Sequence, residues 1–157
     1  MMFMYAMYFL EKLGQGSGRI VFLLDSHRVL KIATNTVGVD QNVTEAGLSA
    51  LPEAHQIAAR VLEAGPGHDW LISELVRPLS GTAEFEELTG VPWGGFVTAV
   101  SQTHRHRSQA GIDGWTRVVT RIARRQQLSP GDLTKIMHWG KTADGRAVLL
   151  DYGLTRA

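Results

Sequence analysis

The run Val29-Leu30-Lys31-Ile32-Ala33 constrains this chain more than any other segment. Four apolar residues enclose one lysine, so a strand here is buried on both faces and carries an ammonium group inward with it. A cation in that place is costly unless an anionic partner meets it. An exposed edge strand with Lys31 in solvent is the competing reading, and the flanking residues argue against it. Fourteen residues later, Glu45 closes Gln41-Asn42-Val43-Thr44-Glu45, inside a stretch over 38–50 that reads as a helix. Glu45 could equally be a solvated helix residue, and its claim as a partner depends on Lys31.

Ahead of the lysine lies Leu13-Gly14-Gln15-Gly16-Ser17-Gly18-Arg19-Ile20-Val21-Phe22, a glycine-rich turn between strand-like runs. Glycines at 14, 16 and 18 suit a backbone that must approach phosphates closely, where side chains would block the N–H groups. A flexible hairpin would use the same residues. Arg19 follows the last glycine and could either add charge to the phosphates or fill the pocket.

Residues 3–12 and 19–25 read as strands flanking the glycine turn, with Asp25-Ser26-His27-Arg28 turning into the lysine strand. Ala58–Glu63 and Trp70–Leu75 read as two more, joined by the turn Ala64-Gly65-Pro66-Gly67-His68-Asp69. Arg77-Pro78-Leu79-Ser80 then stops the sheet. From Thr82 the pattern turns helical, with candidates at 82–88, 92–107 and 113–128. In the last of these Trp115, Val118, Val119, Ile122 and Ala123 form an apolar stripe, with Arg117, Arg121, Arg124 and Arg125 away from it. Pro130-Gly131 ends that helix, and a loop leads to a final strand at Ala147–Leu150, entered through Asp144-Gly145. That strand runs into Asp151-Tyr152-Gly153. Strands with one helix, followed by helices with a terminal strand pair, make the class α+β.

Length and composition set limits. The chain has 157 residues, 44% hydrophobic and 20% charged, which suits one globular domain with a real core. A net charge of +1 gives no global case for nucleic acid or an anionic membrane. With no cysteine, disulfides, thiolate metal sites and cysteine nucleophiles are excluded, which fits a cytoplasmic protein. The apolar start Met1–Leu10 lacks a basic leader and is too short to span a bilayer. Tyr5, Tyr8, Trp70, Trp93 and Trp115 read as core or interface aromatics. The arginine face over 117–125 reads as a solvated face before it reads as a nucleic-acid surface.

Glycine loop, strand lysine, helix glutamate, and a strand ending in Asp-x-Gly occur in that order, and by them the chain resembles the protein-kinase-like superfamily. The resemblance implies an antiparallel, β-rich N-lobe over 1–80 with one helix, and a truncated helical C-lobe over 81–157, together one kinase-like domain. It implies that Lys31 holds the phosphates of ATP and pairs with Glu45. It implies that Asp151 holds Mg²⁺. Glu74–Val76 would then lie beside the adenine, in a cleft between the lobes. Asp132, in Ser129-Pro130-Gly131-Asp132-Leu133, stands in the order of the residue that aligns an acceptor hydroxyl, though a helix-ending turn accounts for it equally well.

The chain departs from that pattern in three places. Its third glycine comes one residue early. No Asn follows Asp132; His138 precedes Trp139-Gly140 instead, and imidazole is a poorer ligand than Asn for a hard cation. His138 could ligate a metal, bind phosphate, or serve as a hydrogen-bonding loop residue. The sequence also ends four residues after Gly153, so the resemblance implies the nucleotide-facing part of a kinase, similar to minimal bacteriophage-encoded kinase-like proteins. Two functions follow. One is a Mg-nucleotide binder with phosphotransferase chemistry on an unnamed acceptor. The other is a pseudokinase-like binding module that grips a host or virion protein.

Overall fold

A computed structural model describes residues 2–106 and 113–150. The chain divides into two compact units, one formed by Met1–Ala50 with Ala59–Leu75, the other by Leu51–Ala58 with Val76–Ala157. The class is α+β: a β-rich antiparallel first unit and a mainly helical second one.

The first unit is built on β1 (Glu11–Gln15), β2 (Arg19–Leu23), β3 (Arg28–Ala33), β4 (Val61–Ala64) and β5 (Trp70–Glu74). They form a five-stranded sheet in the order β1-β2-β3-β5-β4, with every neighbouring pair antiparallel. Lys31 therefore sits on the central strand, opposite Val21 on one side and Leu71 on the other. Successive residues of a strand point to opposite faces. Ile20, Phe22, Leu30, Ile32 and Ile72 fall on one face and form a core cluster with Ala6. Arg19, Val21, Val29 and Lys31 fall on the other.

A helix packs on each face. α2 (Thr36–Ser49) starts at Asn35, whose side chain accepts a hydrogen bond from the Gly38 backbone nitrogen. Its buried residues are Gly38, Gln41, Asn42, Glu45 and Leu48, one helical stripe that is mostly polar. A polar stripe survives burial only where polar groups on the sheet meet it.

α1 (Met2–Phe9) corrects the expectation of a strand over residues 3–12. The run has no Gly, Pro or β-branched residue, and Met and Ala favour helix. Its uniform apolarity carries neither period, so no pattern could choose between the two. Ala6 is fully buried, while Tyr5 and Tyr8 are exposed rather than core residues.

The second unit holds α3 (Thr82–Thr89), α4 (Trp93–His106), α5 (Gly114–Arg125), α6 (Pro130–Leu133) and a three-stranded antiparallel sheet, β6 (Val76–Pro78), β7 (Trp139–Thr142) and β8 (Ala147–Leu149). The first residues of the stretch expected to stop the sheet thus begin a second one. β7 and β8 form the expected terminal strand pair, β7 being the member whose bounds the sequence left open. Pro130-Gly131 opens a helical turn rather than merely ending a helix, because the Ser129 side chain accepts from Gly131 and Pro occupies the first turn. The short helix Pro52–Gln56 belongs to this unit, with Ile57 accepting a backbone bond from Leu149. Phe85, Phe96 and Trp139 are fully buried; all three meet the ring of Trp115, and the two phenylalanines also meet Trp93, at centroid distances of 4.8–5.7 Å.

Candidate functional site

The face of the first sheet covered by α2 carries a buried ionic cluster. Lys31 Nζ donates to Glu45 Oε2 at 2.9 Å and to Oε1 at 3.2 Å. Arg19 Nη2 donates to Glu45 Oε1 at 2.7 Å, and Nη1 to Asn42 Oδ1 at 3.1 Å. Asn42 Nδ2 in turn donates to the His68 carbonyl in the β4–β5 turn at 2.7 Å. Side-chain exposure is 6% for Arg19, 13% for Lys31 and 4% for Glu45, so none of the three is a solvated surface charge. Burial alone pushes the Glu45 carboxyl up. The charges of Lys31 and then Arg19 outweigh that, and hold it below the ordinary carboxylate value.

Register accounts for the cluster. Val21 lies opposite Lys31, and Arg19 is two residues from Val21, hence on the same face. Asn42 and Glu45 are three apart on α2 and share its inner stripe. Sequence reasoning paired Glu45 with Lys31 but placed Arg19 at the phosphates or in the pocket. The structure turns Arg19 inward onto Glu45 and Asn42. The signal was available once the Asp25–Arg28 turn fixed the hairpin register.

The three loop glycines differ. A Cβ at Gly18 would lie 2.7 Å from the Gly38 nitrogen, and one at Gly38 would collide with the Gly18 carbonyl. Two backbones cross there, and only glycines permit it. Thr34 N donates to Gly18 O, and Asn35 Nδ2 to Ser17 O, both at 2.8 Å, tying the loop to the start of α2. Gly14 and Gly16 have nothing within 4 Å of a built Cβ, and neither has a positive φ. Packing inside the protein gives no reason for glycine at those two positions.

Glu74 and Val76 lie where the chain passes from the first unit to the second. Glu74 closes β5, and its carboxylate accepts from the Arg60 backbone nitrogen at 2.7 Å. Val76 opens β6, opposite Thr142.

In the second unit, Asp132 and His138 come together. His138 Nδ1 lies 3.0 Å from the Asp132 carbonyl oxygen. A carbonyl only accepts, so Nδ1 is the donor of this bond. Asp132 Oδ2 is buried without a hydrogen-bond partner among the described residues. The His138 carbonyl accepts from Leu150 N at 2.8 Å, and Trp139 Nε1 donates to the Leu133 carbonyl at 2.8 Å, so the turn is held on both sides. Asp151, Tyr152 and Gly153 lie outside the described residues. Among those described, no group of three His, Asp or Glu could hold a metal ion. One imidazole nitrogen and one orphaned carboxylate oxygen do not by themselves fit Mg²⁺, which prefers octahedral oxygen. The arginine face of α5 is partly engaged: Arg121 and Arg125 pair with Glu53 at 3.4 and 2.8 Å. No described helix is long and apolar enough to cross a membrane.

No family model and no curated protein sequence matches the chain. Among solved structures it is similar to a point mutant of the Mycobacterium tuberculosis PknI kinase domain, with 16% identity, a TM-score of 0.48 and 92% of this chain covered. The chain spans 58% of that kinase domain. It is also similar to the GDP complex of aminoglycoside 2'-phosphotransferase-IIIa, with 12% identity, a TM-score of 0.43, and coverage of 99% of this chain and 72% of the other. Likeness at this level carries no weight beside the geometry of the ionic cluster.

Proposed function

We propose that this chain is a protein-kinase-like protein that binds the phosphates of a nucleoside triphosphate at Lys31. The observation that carries the reading is the buried Lys31–Glu45 pair, joining the central strand of an antiparallel sheet to the one helix on that face. A fold does not bury a lysine and a glutamate there for stability alone, because apolar residues of similar size would serve as well or better. Gly14 and Gly16 support the same reading, since packing does not demand glycine there and a backbone without side chains lets a ligand approach the loop closely, although the Gly16 N–H itself is taken up by the Arg19 carbonyl. Gly18 supports it indirectly by seating the loop on α2. Glu74 and Val76 are assigned to the base of the nucleotide.

Asp151 is assigned to Mg²⁺, an assignment that stands on the sequence. His138 is the further metal candidate: with Nδ1 bonded to a backbone carbonyl, Nε2 is the ring nitrogen left to act as a ligand. If phosphate is transferred, Asp132 orients the acceptor hydroxyl, a role that would supply its orphaned oxygen with a donor.

Calorimetric titration of ATP, with and without Mg²⁺, into the protein and its Lys31→Ala and Asp151→Ala variants tests the reading. Binding that weakens at least about tenfold in Lys31→Ala, as expected for a lost charge-assisted contact, supports it. Absence of binding by the folded protein overturns it. A second reading, a pseudokinase-like module gripping a host or virion protein, draws support from His138, a poorer hard-cation ligand than the Asn of the kinase-like pattern. It expects ATP to bind without phosphate transfer to any acceptor.

A further inference from the structure

We infer that Arg19 is the permanent counter-ion of Glu45, and that this leaves Lys31 able to move its charge onto a phosphate-bearing ligand. The inference rests on the nucleotide reading for its ligand, and on the cluster's geometry for its mechanism. A lysine that must neutralise a buried carboxylate cannot leave cheaply, because the carboxylate left behind is desolvated and unpaired. Here the carboxylate has a second cation. Arg19 Nη2 keeps its 2.7 Å bond to Glu45 Oε1 whichever way Lys31 turns.

The two cations are held differently. The Arg19 guanidinium is planar and is gripped at two points at least, by Glu45 through Nη2 and by Asn42 through Nη1. Asn42 is itself fully buried and tied to the His68 carbonyl. The fork has one orientation that satisfies both partners. Lys31 ends in a single ammonium on a flexible four-carbon stem. Among the described residues its two hydrogen bonds go to one carboxylate, so one of its three donors is left over. It is also about twice as exposed as Arg19, at 13% against 6%. Arg19 locks α2 to the sheet, and Lys31 is the cation that can change partners. Arg19 is thus a positioning residue for Lys31, acting through Glu45.

Two measurements on the full chain separate this from a symmetrical triad. The first is urea unfolding of Lys31→Met, Arg19→Met and Arg19→Lys. Lys31→Met leaves Glu45 paired, so its midpoint should fall by less than about 0.5 M. Arg19→Met strips the two-point grip and should lower the midpoint by about 1–2 M, with Arg19→Lys between them. The second is calorimetric titration of ATP and of inorganic tripolyphosphate into folded wild type, Arg19→Lys and Arg19→Met. Without Arg19 the lysine is needed by Glu45, so both polyphosphates should bind at least about tenfold more weakly, with the lysine variant restoring part of the loss. A purely structural Arg19 would leave affinity unchanged in whatever fraction folds. If Arg19→Met does not fold, Arg19→Lys still carries the affinity comparison. Equal destabilisation by Lys31→Met and Arg19→Met overturns the inference even where ATP binds. Unchanged polyphosphate affinity in the Arg19 variants overturns it too. A wild type that binds neither polyphosphate removes the nucleotide reading and the ligand half of the inference, while the unfolding series still decides which cation serves Glu45.

Discussion

Replacing Gly38 by alanine sets two known effects against each other, and the structure decides the sign. Gly38 lies in the first turn of α2, where alanine has the better helix propensity by about 1 kcal/mol. A Cβ there would collide with the Gly18 carbonyl oxygen, and would lie 2.8 Å from the Gly18 carbonyl carbon and 3.0 Å from the Ala33 Cα. All three are backbone atoms, so no side chain can swing aside to make room. Overpacking against a rigid neighbour costs about 1–3 kcal/mol, and a collision with backbone that must also prise the glycine loop from α2 puts this site in the upper part of that range, about 2–3 kcal/mol. The net expectation is a loss of about 1–2 kcal/mol, or roughly 2–8 °C in Tm for a chain of this size. Gly47 supplies the control. It is in the same helix with nothing within 4 Å of a built Cβ, so Gly47→Ala should gain up to about 1 kcal/mol. Urea and thermal unfolding of both variants read the difference. If Gly38→Ala is as stable as wild type, the crossing of the loop backbone over α2 is wrong, and so is the seat assigned to Gly18.

Three further outcomes follow from the described groups. The Glu45 carboxyl is held below its ordinary value, so its contribution to stability is complete above the unfolded-chain value of about 4.3 and is lost as pH falls through the lower folded value. Urea midpoints between pH 7 and pH 3 should therefore drop in wild type, and the Glu45 share of that drop should vanish in Glu45→Gln, whose midpoint is lower at pH 7. Trp139→Ala should cost about 3–5 kcal/mol, because the side chain is fully buried among Phe85, Phe96 and Trp115 and donates to the Leu133 carbonyl. Asp132→Asn should keep or raise stability by up to about 1 kcal/mol, since it removes the negative charge from a buried oxygen that lacks a partner among the described residues, while abolishing any phosphate transfer.

Much of the first unit was legible because its signals are local. Lys31 among four apolar residues marks a central strand, and the turns at 25–28 and 64–69 bound the strands beside it. Glu45 followed from the resemblance, which supplied the helix partner that spacing alone could not assign. Arg19 was missed because an arginine after a glycine run reads as loop, and only strand register puts it beside Lys31. α1 was unreadable because an all-apolar run has no period. In the second unit a terminal strand pair was expected, but the bounds of its first strand, β7, were hidden by its make-up, Trp-Gly-Lys-Thr, which has no alternation. The membership of Leu51–Ala58 in that unit rests on long-range bonds: Leu149 N and Arg146 Nη1 donate to the carbonyls of Ile57 and His55. No local pattern encodes those. Asp132 was found by its order in the chain, but its orphaned oxygen and the His138 bond to its carbonyl needed coordinates.

The most direct test of the central claim is an amide-resolved NMR titration of the labelled protein with ATP. A phosphate group held at Lys31 should shift the amides of Gly14–Gly18 and Lys31 together with saturable dependence on ATP, and Lys31→Met should abolish those shifts. Shifts confined to residues outside the first unit, or no saturable shift in the folded protein, would contradict nucleotide binding at this site.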